Sequence, residues 1–468
     1  MHREDDHHFP KFHVRRPTGF VNDPNGPILL GDELHLYFQY RAAASGSGFV
    51  SWGHASSLDF VNWRHHRLAI TPEPDGLDVD GSWSGNTVLE GGQVVAFYSA
   101  YKASAKYQSV VKAISGDGGF SFGPSVRTVP DPDVAEGIAF FRDPFVWRDG
   151  DGWRMVVGAG ASDETASVRL FESQNLTDWS PVGVMAAMSR QSTDAGDTGA
   201  MWECPQLATL DGQDVLIVSP WAPGCELMQV LTLSGLDSAG GSPLIVGRLD
   251  HGANFYAASV LRSSPYGPLV WGWATEGRSD DWCVEADWAG MLTLPRCISM
   301  RLDGTVASHP LPALIALRHD QVELNREPSG DLVAQGLPGQ AELRLDLAPG
   351  PERAPVRATL RFGSDEHFDI TVDWVSGTVT VDRSCASADP RAHRGAVAFP
   401  EPLCAAGARL TLIAYVDGSI VEVFTNSGRC ATVRVYPTAP PPWRLEVLGS
   451  KVDDHISCWS LNPATNQG

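Results

Sequence analysis

A turn-like stretch, Ser57-Leu58-Asp59-Phe60-Val61-Asn62-Trp63, returns twice in altered form along the chain, as Gly116-Asp117-Gly118-Gly119-Phe120-Ser121-Phe122 and as Gln174-Asn175-Leu176-Thr177-Asp178-Trp179. The closing aromatic residues of the three stretches lie 59 and 57 positions apart. Short segments that alternate apolar and polar residues, the period of β-strands, fill the intervals. Each interval has room for about four strands and a turn, which is typical of a β-propeller blade. From Phe12 to about residue 305 the sequence therefore predicts five blades.

The texture of the sequence changes after Pro310. Leu311 to Leu317 has the character of a short helix, and cleanly alternating runs follow at 342–347, 358–362, 371–374, 410–415 and 420–424. These runs carry no cluster of acidic turns, so they predict a supporting β-sandwich without a catalytic role. We predict an all-β protein with a five-bladed β-propeller catalytic domain at residues 1–308, a linker at 309–325 and a C-terminal β-sandwich at 326–468.

The composition limits the kind of partner that this protein has. Its 35 basic and 56 acidic residues give a formal net charge of −21, which repels nucleic acid and anionic membranes. No run of about 18 apolar residues is present, and the start of the chain lacks the apolar core of a secretory signal. We expect a cytoplasmic location, with the eight cysteines as free thiols.

Three carboxylates stand in rigid, turn-like settings that include proline. They are Asp23, Asp143 and Glu203, in the motifs Phe20-Val21-Asn22-Asp23-Pro24-Asn25-Gly26, Phe141-Arg142-Asp143-Pro144 and Trp202-Glu203-Cys204-Pro205. They fall near the starts of the first, third and fourth units, where the innermost strands of a propeller surround one funnel. Glycosidic bond cleavage needs one carboxylate at the developing oxocarbenium ion and one carboxylic acid at the leaving oxygen. The fifteen Trp residues include candidates for packing against sugar rings. The sequence therefore predicts chemistry on a small neutral sugar.

These motifs resemble glycoside hydrolase family 32, the β-fructofuranosidase, invertase, inulinase and levanase group. Shorter family signatures agree in order along nearly the whole chain: Tyr37-Phe38-Gln39, Trp52-Gly53-His54-Ala55, Trp83-Ser84-Gly85, Phe255-Tyr256-Ala257, Ala289 to Arg296, and Ser419 to Phe424. The resemblance implies a five-bladed propeller joined to a β-sandwich. It also implies a retaining enzyme that releases terminal fructose from sucrose or fructo-oligosaccharides by double displacement.

By this resemblance, Asp23 is similar to the family's nucleophile, Glu203 to its acid/base and Asp143 to its transition-state stabiliser. Arg142 is expected beside Asp143, as a donor that keeps it ionised. Further contacts with the sugar are implied for Asn22, Gln39, Trp52, Trp83, Ser84, Tyr256 and Trp273. No metal and no cofactor is predicted, because no phosphate-binding glycine loop and no metal-ligand spacing occurs in the sequence.

The chain also departs from the family pattern at several positions. Phe20 and Val21 replace bulkier residues, Trp83 replaces a common Phe, and Asn254 stands where an Asp often precedes Phe-Tyr-Ala. Gln206 replaces an Asp close to the expected leaving-group side, which leaves the leaving-group preference open. We expect His7, His8, His65 and His66 to be solvated and His54 to pack within a blade.

Several functional alternatives remain open at the level of the sequence. A fructosyltransferase, an exo-levanase or an exo-inulinase would use the same residues, since loops decide the acceptor. An inverting arabinan-type furanosidase shares the five-bladed shape but needs its carboxyl groups about 6.5–9.5 Å apart. A catalytically silent carbohydrate-binding propeller is the alternative from another class. The sequence does not indicate an oligomeric state.

Overall fold

We describe the fold from a computed structural model. It describes residues 6–463 except 134–135, 226–228, 237–242, 351–352 and 403–407, so Cys404 lies outside the described part. Almost all of the regular secondary structure in these residues is β-strand, which confirms the all-β prediction. The seven described cysteines are free thiols. In this part of the chain no helix is both long and apolar enough to cross a membrane.

Residues 19–310 form five successive antiparallel sheets, here called blades 1 to 5, each with four strands in chain order. Blade 1 comprises Gly19–Leu30, Glu33–Arg41, Ser51–Ser57 and Arg64–His65; blade 2, Gly81–Glu90, Gln93–Tyr101, Ser109–Ile114 and Val126–Arg127; blade 3, Ile138–Asp149, Gly152–Ala161, Thr165–Ser173 and Ser180–Ser189. Blade 4 comprises Met201–Leu210, Gln213–Trp221, Leu231–Ser234 and Leu244–Arg248; blade 5, Tyr256–Leu261, Leu269–Ala274, Arg296–Met300 and Val306–Pro310. The first strand of each blade contacts the first strand of the next, and blade 5 contacts blade 1, so the ring is closed.

Short strands close the ring and lie between blades. Trp288–Ala289 pairs in parallel with the first strand of blade 1, and Met291–Leu292 adds to blade 5. A small hairpin of Ser192–Thr193 and Gly196–Asp197 precedes blade 4. The seven-residue α-helix Asp280–Ala286, which the sequence analysis did not predict, leads into the closing strand. It escaped prediction because a segment of seven residues is too short to show a helical period.

The three repeated stretches are turns that follow the third strand of blades 1, 2 and 3. Each turn is organised by one acceptor, and these acceptors stand at the equally spaced positions Asp59, Asp117 and Asn175. Asp59 Oδ1 accepts the backbone N–H groups of Val61 and Asn62 at 2.9 and 2.7 Å. The side-chain oxygen thus replaces the backbone acceptor that these N–H groups would have if the strand continued. The repeat in the sequence therefore marks a blade corner.

Two sheets pack face to face to form the C-terminal sandwich. In spatial order the six-stranded sheet consists of Arg318–Val322, His455–Leu461, Gln340–Leu347, Leu410–Asp417, Ile420–Thr425 and Cys430–Arg434. The seven-stranded sheet consists of Asn325–Arg326, Leu332–Leu337, Trp443–Leu448, Val356–Arg361, His367–Asp373, Thr378–Asp382 and Ala396–Pro400. Their inward-facing residues form one apolar core, as alternating strands predict.

The stretch predicted as a linker is structured in this protein. The helical segment predicted from Leu311 to Leu317 is a 3-10 helix at Pro312–Leu317, and Arg318–Val322 and Asn325–Arg326 already belong to the sandwich sheets. Leu311, Leu314 and Leu317 are buried in a core shared by both domains. The domain bounds 1–308, 309–325 and 326–468 remain a prediction.

Charged side chains with no exposed surface connect the propeller to the sandwich. Arg296 of blade 5 donates to Asp250 at 2.7 Å and to Glu422 of the sandwich at 2.5 Å. His13 lies between Asp417 and Glu422, at 2.8 and 2.9 Å. Burial disfavours a charged imidazole, but the hydrogen bonds to the two carboxylates outweigh it and raise the pKa of His13. The interface is therefore an alternating chain of positive and negative groups, which we call the interdomain ion network.

The histidines expected in solvent are at least partly buried. His8 is buried and its Nε2 contacts the carbonyl oxygen of Pro437 at 2.8 Å, while His7, His65 and His66 are half-buried. His54 packs within blade 1 as predicted, with its Nε2 at 3.0 Å from His35 Nδ1. Burial, with the neighbouring imidazoles, lowers the pKa of His54 to about 2. The expectation of solvation for the other four was wrong because the N-terminal segment and the outer strand of blade 1 are covered by neighbouring segments.

We expect Arg296→Met to lower the free energy of unfolding by about 3–5 kcal/mol, because it leaves Asp250 and Glu422 buried without their cation. Urea denaturation followed by tryptophan fluorescence measures the change. The control is Arg154→Met, whose partner Asp149 at 2.8 Å is about as exposed as Arg154 itself. Such an exposed pair is worth less than about 1 kcal/mol. Equal losses in the two variants would contradict the role of the network.

Candidate active site

The first strand of every blade contains a β-bulge near the centre of the ring. In blade 1, Asn22 and Asp23 together lie opposite the single residue Gln39. The corresponding register shifts fall at residues 83–84, 143, 204–205 and 257–258 in blades 2 to 5. An extra residue bends the strand and redirects its side chains, which is a common use of bulges next to active sites. The bulges therefore turn two adjacent side chains per blade toward the axis.

Backbone strain accompanies these bulges. Asp143, Cys204 and Ala257 have positive φ angles of 64°, 46° and 48°. A residue with a Cβ atom in this region costs about 1–3 kcal/mol unless the surroundings impose it. In blade 3 the neighbouring strand must also come close, since a Cβ atom on Gly158 would lie 2.1 Å from the Trp202 carbonyl oxygen. The packed ring therefore imposes the conformation that aims Asp143.

The bulges surround one pocket of about 340 Å³ that contains all three predicted carboxylates. It is lined by Asn22, Asp23, Gln39, Arg41, Trp83, Ser84, Arg142, Asp143, Glu203, Trp221, Cys225, Tyr256 and Trp273. Ten of the eleven residues proposed from the sequence are in this set. The exception is Trp52, which is 0% exposed and whose indole N–H donates to the Trp83 carbonyl oxygen at 2.8 Å. Trp52 therefore does not reach a sugar in the pocket, contrary to expectation, and instead supports Trp83, which lines it.

Asp23 is held by three side-chain donors from two blades. Ser84 Oγ donates to Oδ2 at 2.6 Å, Gln39 Nε2 to Oδ2 at 3.1 Å and Asn22 Nδ2 to Oδ1 at 3.0 Å. Burial raises the pKa of Asp23 above its ordinary value and the charge of Glu203 adds to this, whereas the bonds from Ser84 and Asn22 and the charge of Arg41 oppose it. The donors fix the carboxylate and favour its ionised form.

Asp143 is more deeply buried and binds to the neighbouring blades. Its Oδ1 accepts from Ser99 Oγ at 3.2 Å, and its Oδ2 accepts from the backbone N–H of Cys204 at 3.1 Å. Burial, together with the Glu203 carboxylate, raises the pKa of Asp143 to about 7 against the opposing charge of Arg142. Two acidic groups in so small a space share one proton more easily than they both ionise.

Glu203 is held by Arg142 and Tyr256. Arg142 donates to Oε1 through Nε at 3.1 Å and Nη2 at 2.7 Å, and the Tyr256 hydroxyl donates to Oε2 at 2.7 Å. Arg142 lies 3.9 Å from Asp143, and its charge opposes the raised pKa of that carboxyl group, as the sequence analysis expected. Its hydrogen bonds, however, go to Glu203 of blade 4 and not to Asp143.

Cys204 places a thiol between two of the acids. Its Sγ lies 3.7 Å from Asp23 Oδ2 and 3.8 Å from Asp143 Oδ2. Burial and the three surrounding carboxylates raise its pKa well above the ordinary value, so the group is a neutral thiol. The thiol of blade 4 therefore lies next to an acid of blade 1 and an acid of blade 3.

Aromatic pairs form the rim of the pocket on three sides. Trp273 meets Phe20 at 5.7 Å between ring centroids, Trp83 stacks on Tyr101 at 4.5 Å, and Trp221 meets Phe140 at 4.8 Å. Flat apolar surfaces of this kind suit the apolar faces of sugar rings. The rim therefore favours a saccharide above the acids.

Three pocket residues were missed by the sequence analysis: Arg41, Trp221 and Cys225. A signal existed for Arg41, since it follows Gln39 by two positions in one strand and thus shares its face. Trp221 ends its strand and Cys225 lies beyond it, so neither residue shares a strand face with a motif residue in the sequence. Residues that begin or directly precede the bulges recur at 22, 83, 142, 203 and 256, a spacing near that of the turns, and this recurrence would have indicated the pocket.

Three neighbours of the motifs lie away from the pocket. Gln206 is buried below it and accepts the backbone N–H of Val260 at 3.0 Å, which joins blade 4 to blade 5, so the expected position near a leaving group was wrong. Asn254 accepts the backbone N–H of Arg434 in the sandwich at 3.0 Å. Trp202 packs in the core between blades 3 and 4.

Comparison with known proteins gives a consistent result over the whole chain. The family model "Glycosyl hydrolases family 32 N-terminal domain" matches residues 13–310, and "Glycosyl hydrolases family 32 C terminal" matches residues 316–460. The sucrose-6-phosphate hydrolase of Bacillus subtilis is 29% identical over 97% of this chain and 95% of that protein. The raffinose invertase of Escherichia coli is 30% identical over 92% of this chain and 90% of that protein.

Solved structures share the fold. Sucrose-6-phosphate hydrolase from Lactobacillus gasseri superposes with a TM-score of 0.83 at 23% identity, covering 99% of this chain and 95% of that one. A β-fructofuranosidase from Bombyx mori in complex with sucrose gives a TM-score of 0.80 at 23% identity, covering 98% and 95%. These proteins combine a β-propeller with a β-sandwich, which agrees with the architecture described above.

We expect Asp143→Asn to stabilise the protein in a pH-dependent way. The pKa of Asp143 is about 7 in the fold and 3.8 ordinarily. The stability that this group contributes is thus complete below about pH 4 and is lost as the pH rises through 7. The asparagine avoids this loss, and its amide can donate to Ser99 Oγ while its oxygen still accepts from Cys204.

The measurement for Asp143→Asn is the melting temperature of variant and parent between pH 4 and pH 8. The difference, variant minus parent, should grow by roughly 2 °C or more between pH 4 and pH 7 and then level off. A difference that stays constant with pH would contradict the raised pKa.

Proposed function

The chain belongs to glycoside hydrolase family 32, and on this premise we propose that it is a retaining β-fructofuranosidase that releases terminal fructose from sucrose or fructo-oligosaccharides. The observation that carries the proposal is the convergence of three carboxylates from blades 1, 3 and 4. Cys204 Sγ lies within 3.8 Å of both Asp23 and Asp143, and Arg142 connects Asp143 with Glu203. A pocket of about 340 Å³ suits one terminal sugar unit better than the middle of a long chain.

In the first step, Asp23 attacks the anomeric carbon of the fructosyl unit while Glu203 protonates the departing glycosidic oxygen. The bond from carbon to the leaving oxygen breaks as the ester bond to Asp23 forms. The donors Asn22, Gln39 and Ser84 orient Asp23, and Arg142 and Tyr256 orient Glu203. Fixed reacting groups avoid the entropy cost of bringing them together in solution.

In the second step, Glu203 takes a proton from water, and this water attacks the same carbon. The ester bond breaks, Asp23 returns as a carboxylate, and the two inversions give overall retention. Asp143 lies beside the reaction path, where its carboxyl group is suited to hydrogen bonds with ring hydroxyls as positive charge develops.

Unphosphorylated sugars are the proposed substrates. Among the described residues that line the pocket, Arg41 and Arg142 are the cations, and three carboxylates face them. Arg142 is bonded to Glu203 and Arg41 to Asn22, so no pair of unengaged cations is present in this lining to balance a phosphate dianion. The proposed substrates thus differ from those of several relatives that are named sucrose-6-phosphate hydrolases.

We expect Glu203→Ala to lower kcat for sucrose by about 10²–10⁴-fold, since general acid/base catalysis contributes this much. Asp23→Ala should lower it further, because the covalent step is lost. Fructose release by chromatography measures both. The control is Asp214→Ala, an exposed acid of blade 4, which should keep the activity of the parent. Undiminished release from either active-site variant would contradict the assigned roles.

The stereochemical course can be read from transfer to methanol. Turnover of sucrose in aqueous methanol should give methyl β-fructofuranoside, because a retaining enzyme delivers the alcohol to the face that the leaving group left. NMR identifies the product, which does not equilibrate between anomers as free fructose does. The methyl α-fructofuranoside would show an inverting enzyme, and a predominant new trisaccharide at high sucrose concentration would show a transferase.

We expect kcat/KM to be higher for sucrose than for sucrose-6-phosphate, since the acidic pocket opposes a dianion. Raffinose, kestose, inulin and levan complete the panel and show how leaving-group size affects the rate. A higher value for the phosphorylated sugar would contradict the proposed substrate class. No release of fructose from any of these substrates would instead favour a carbohydrate-binding protein.

A further inference from the structure

Arg41 is a cation of the pocket lining that donates to an amide and not to one of the acids, and its guanidinium also lies 5.8 Å from the centroid of the Phe20 ring. It ends the second strand of blade 1, two residues beyond Gln39, and so faces the same side of the strand. Its Nη1 donates to Asn22 Oδ1 at 3.1 Å. The rest of the Asn22 side chain faces Asp23 and Gln39. Arg41 thus lies one residue away from the proposed nucleophile.

The hydrogen bonds run in one direction from Arg41 to Asp23. A guanidinium has no acceptor, so the Asn22 atom that faces it must be the carbonyl oxygen. Asn22 Nδ2 then donates to Asp23 Oδ1 at 3.0 Å and to Gln39 Oε1 at 2.8 Å. The bond to Gln39 Oε1 fixes the Gln39 amide in turn, so that Gln39 Nε2 donates to Asp23 Oδ2 at 3.1 Å and to Ser84 Oγ. Both amides therefore present N–H groups to the carboxylate.

The direction matters because asparagine and glutamine amides can turn by 180°. A turned amide would place its carbonyl oxygen against Asp23, which suits a protonated carboxyl group and repels an ionised one. With Arg41 in place, turning Asn22 would lose the bond to Nη1 and set an NH₂ group against a cation. The network therefore distinguishes the two protonation states of Asp23.

We propose that Arg41 is a positioning residue that holds the amides of Asn22 and Gln39 in the orientation in which both donate to Asp23. This inference rests on the proposed function, in which Asp23 is the nucleophile. Arg41 acts through Asn22, and its positive charge also favours the ionised carboxylate directly. Neither the family match nor the signature motifs assign it a role.

Other charged and titratable groups also face Asp23. From blade 4 these are Glu203 and the Cys204 thiol, from blade 3 Asp143, and from blade 5 the Tyr256 hydroxyl. None of these four is a cation, and the Arg142 guanidinium of blade 3 is bonded to Glu203. Among these groups, Arg41 is thus the positive charge that offsets the carboxylates on the side of Asp23.

The test is the pH dependence of kcat/KM for sucrose between pH 3.5 and pH 8. Its acidic limb reports the ionisation of the nucleophile in the free enzyme. Arg41→Met should move this limb to higher pH by about one unit, since a close opposite charge lowers the pKa of a carboxyl group by about 1–3 units. On the limb, kcat/KM should fall about tenfold through kcat, with KM nearly unchanged.

Two further substitutions separate charge from orientation. Arg41→Lys keeps a donor-only cation and should restore most of the parent profile. Arg41→Gln keeps a donor but adds an acceptor, so it no longer imposes one orientation on Asn22 and should stay shifted. The matched control is Arg16→Met, whose guanidinium lies over the Tyr40 ring and donates to the His66 carbonyl oxygen. Its profile should equal that of the parent.

Four outcomes would overturn the inference. The first is an acidic limb of Arg41→Met at the pH of the parent, and the second is a change in KM alone, which would make Arg41 a substrate contact. A lower melting temperature with an unchanged profile would show a structural role. Equal shifts in Arg41→Met and Arg16→Met would show an effect of net charge alone. If the parent itself releases no fructose, the proposed function fails and the inference that rests on it fails too, whereas an active parent with an unmoved limb in Arg41→Met overturns the inference alone.

Discussion

One constraint on the backbone governs the site: the first strand of each blade carries an extra, bulged residue near the centre of the ring. The extra residue cannot enter the ladder, so the strand bends and presents two neighbouring side chains to the axis of the ring. A regular strand would point alternate residues into the cores between blades. The strain at Asp143, Cys204 and Ala257 persists because tight packing between blades leaves no room for relaxation.

The electrostatics of the pocket follow from this convergence. The bulged strands and the neighbouring strand that carries Arg41 bring three carboxylates, one thiol and two guanidinium groups together in one pocket. Each acid has its own set of partners: amides and a hydroxyl for Asp23, a hydroxyl and a backbone N–H for Asp143, and a guanidinium and a phenol for Glu203. Chemically similar groups can therefore serve different purposes, because the partners and not the carboxyl groups differ.

The sandwich supports this ring through charged groups as well as apolar ones. The interdomain ion network places Arg296 and His13 between three carboxylates with no exposed surface, and a shared apolar core surrounds it. Buried ions of this kind each need an opposite charge at hydrogen-bonding distance. They therefore specify one relative position of the two domains more narrowly than apolar packing does. The closing strand of blade 1, Trp288–Ala289, also contacts the sandwich, because the Trp288 side chain packs with Ile420 and lies 5.8 Å from the Arg434 guanidinium.

Local patterns in the sequence were enough to predict the strands, the blade corners and the three acids that meet in the pocket. Alternation with a period of two and turns with fixed Asp or Asn acceptors are local properties, and so are the motifs around Asp23, Asp143 and Glu203. Three-dimensional packing was needed to show that Trp52 and Gln206 are buried outside the pocket, that Arg142 donates to Glu203, and that Arg41 donates to Asn22. Both faces of a propeller blade are buried against neighbouring blades, so alternation cannot tell a core position from a pocket position. A residue lines the pocket only if it lies close to the axis of the ring. This distance is set when the five blades close into the ring.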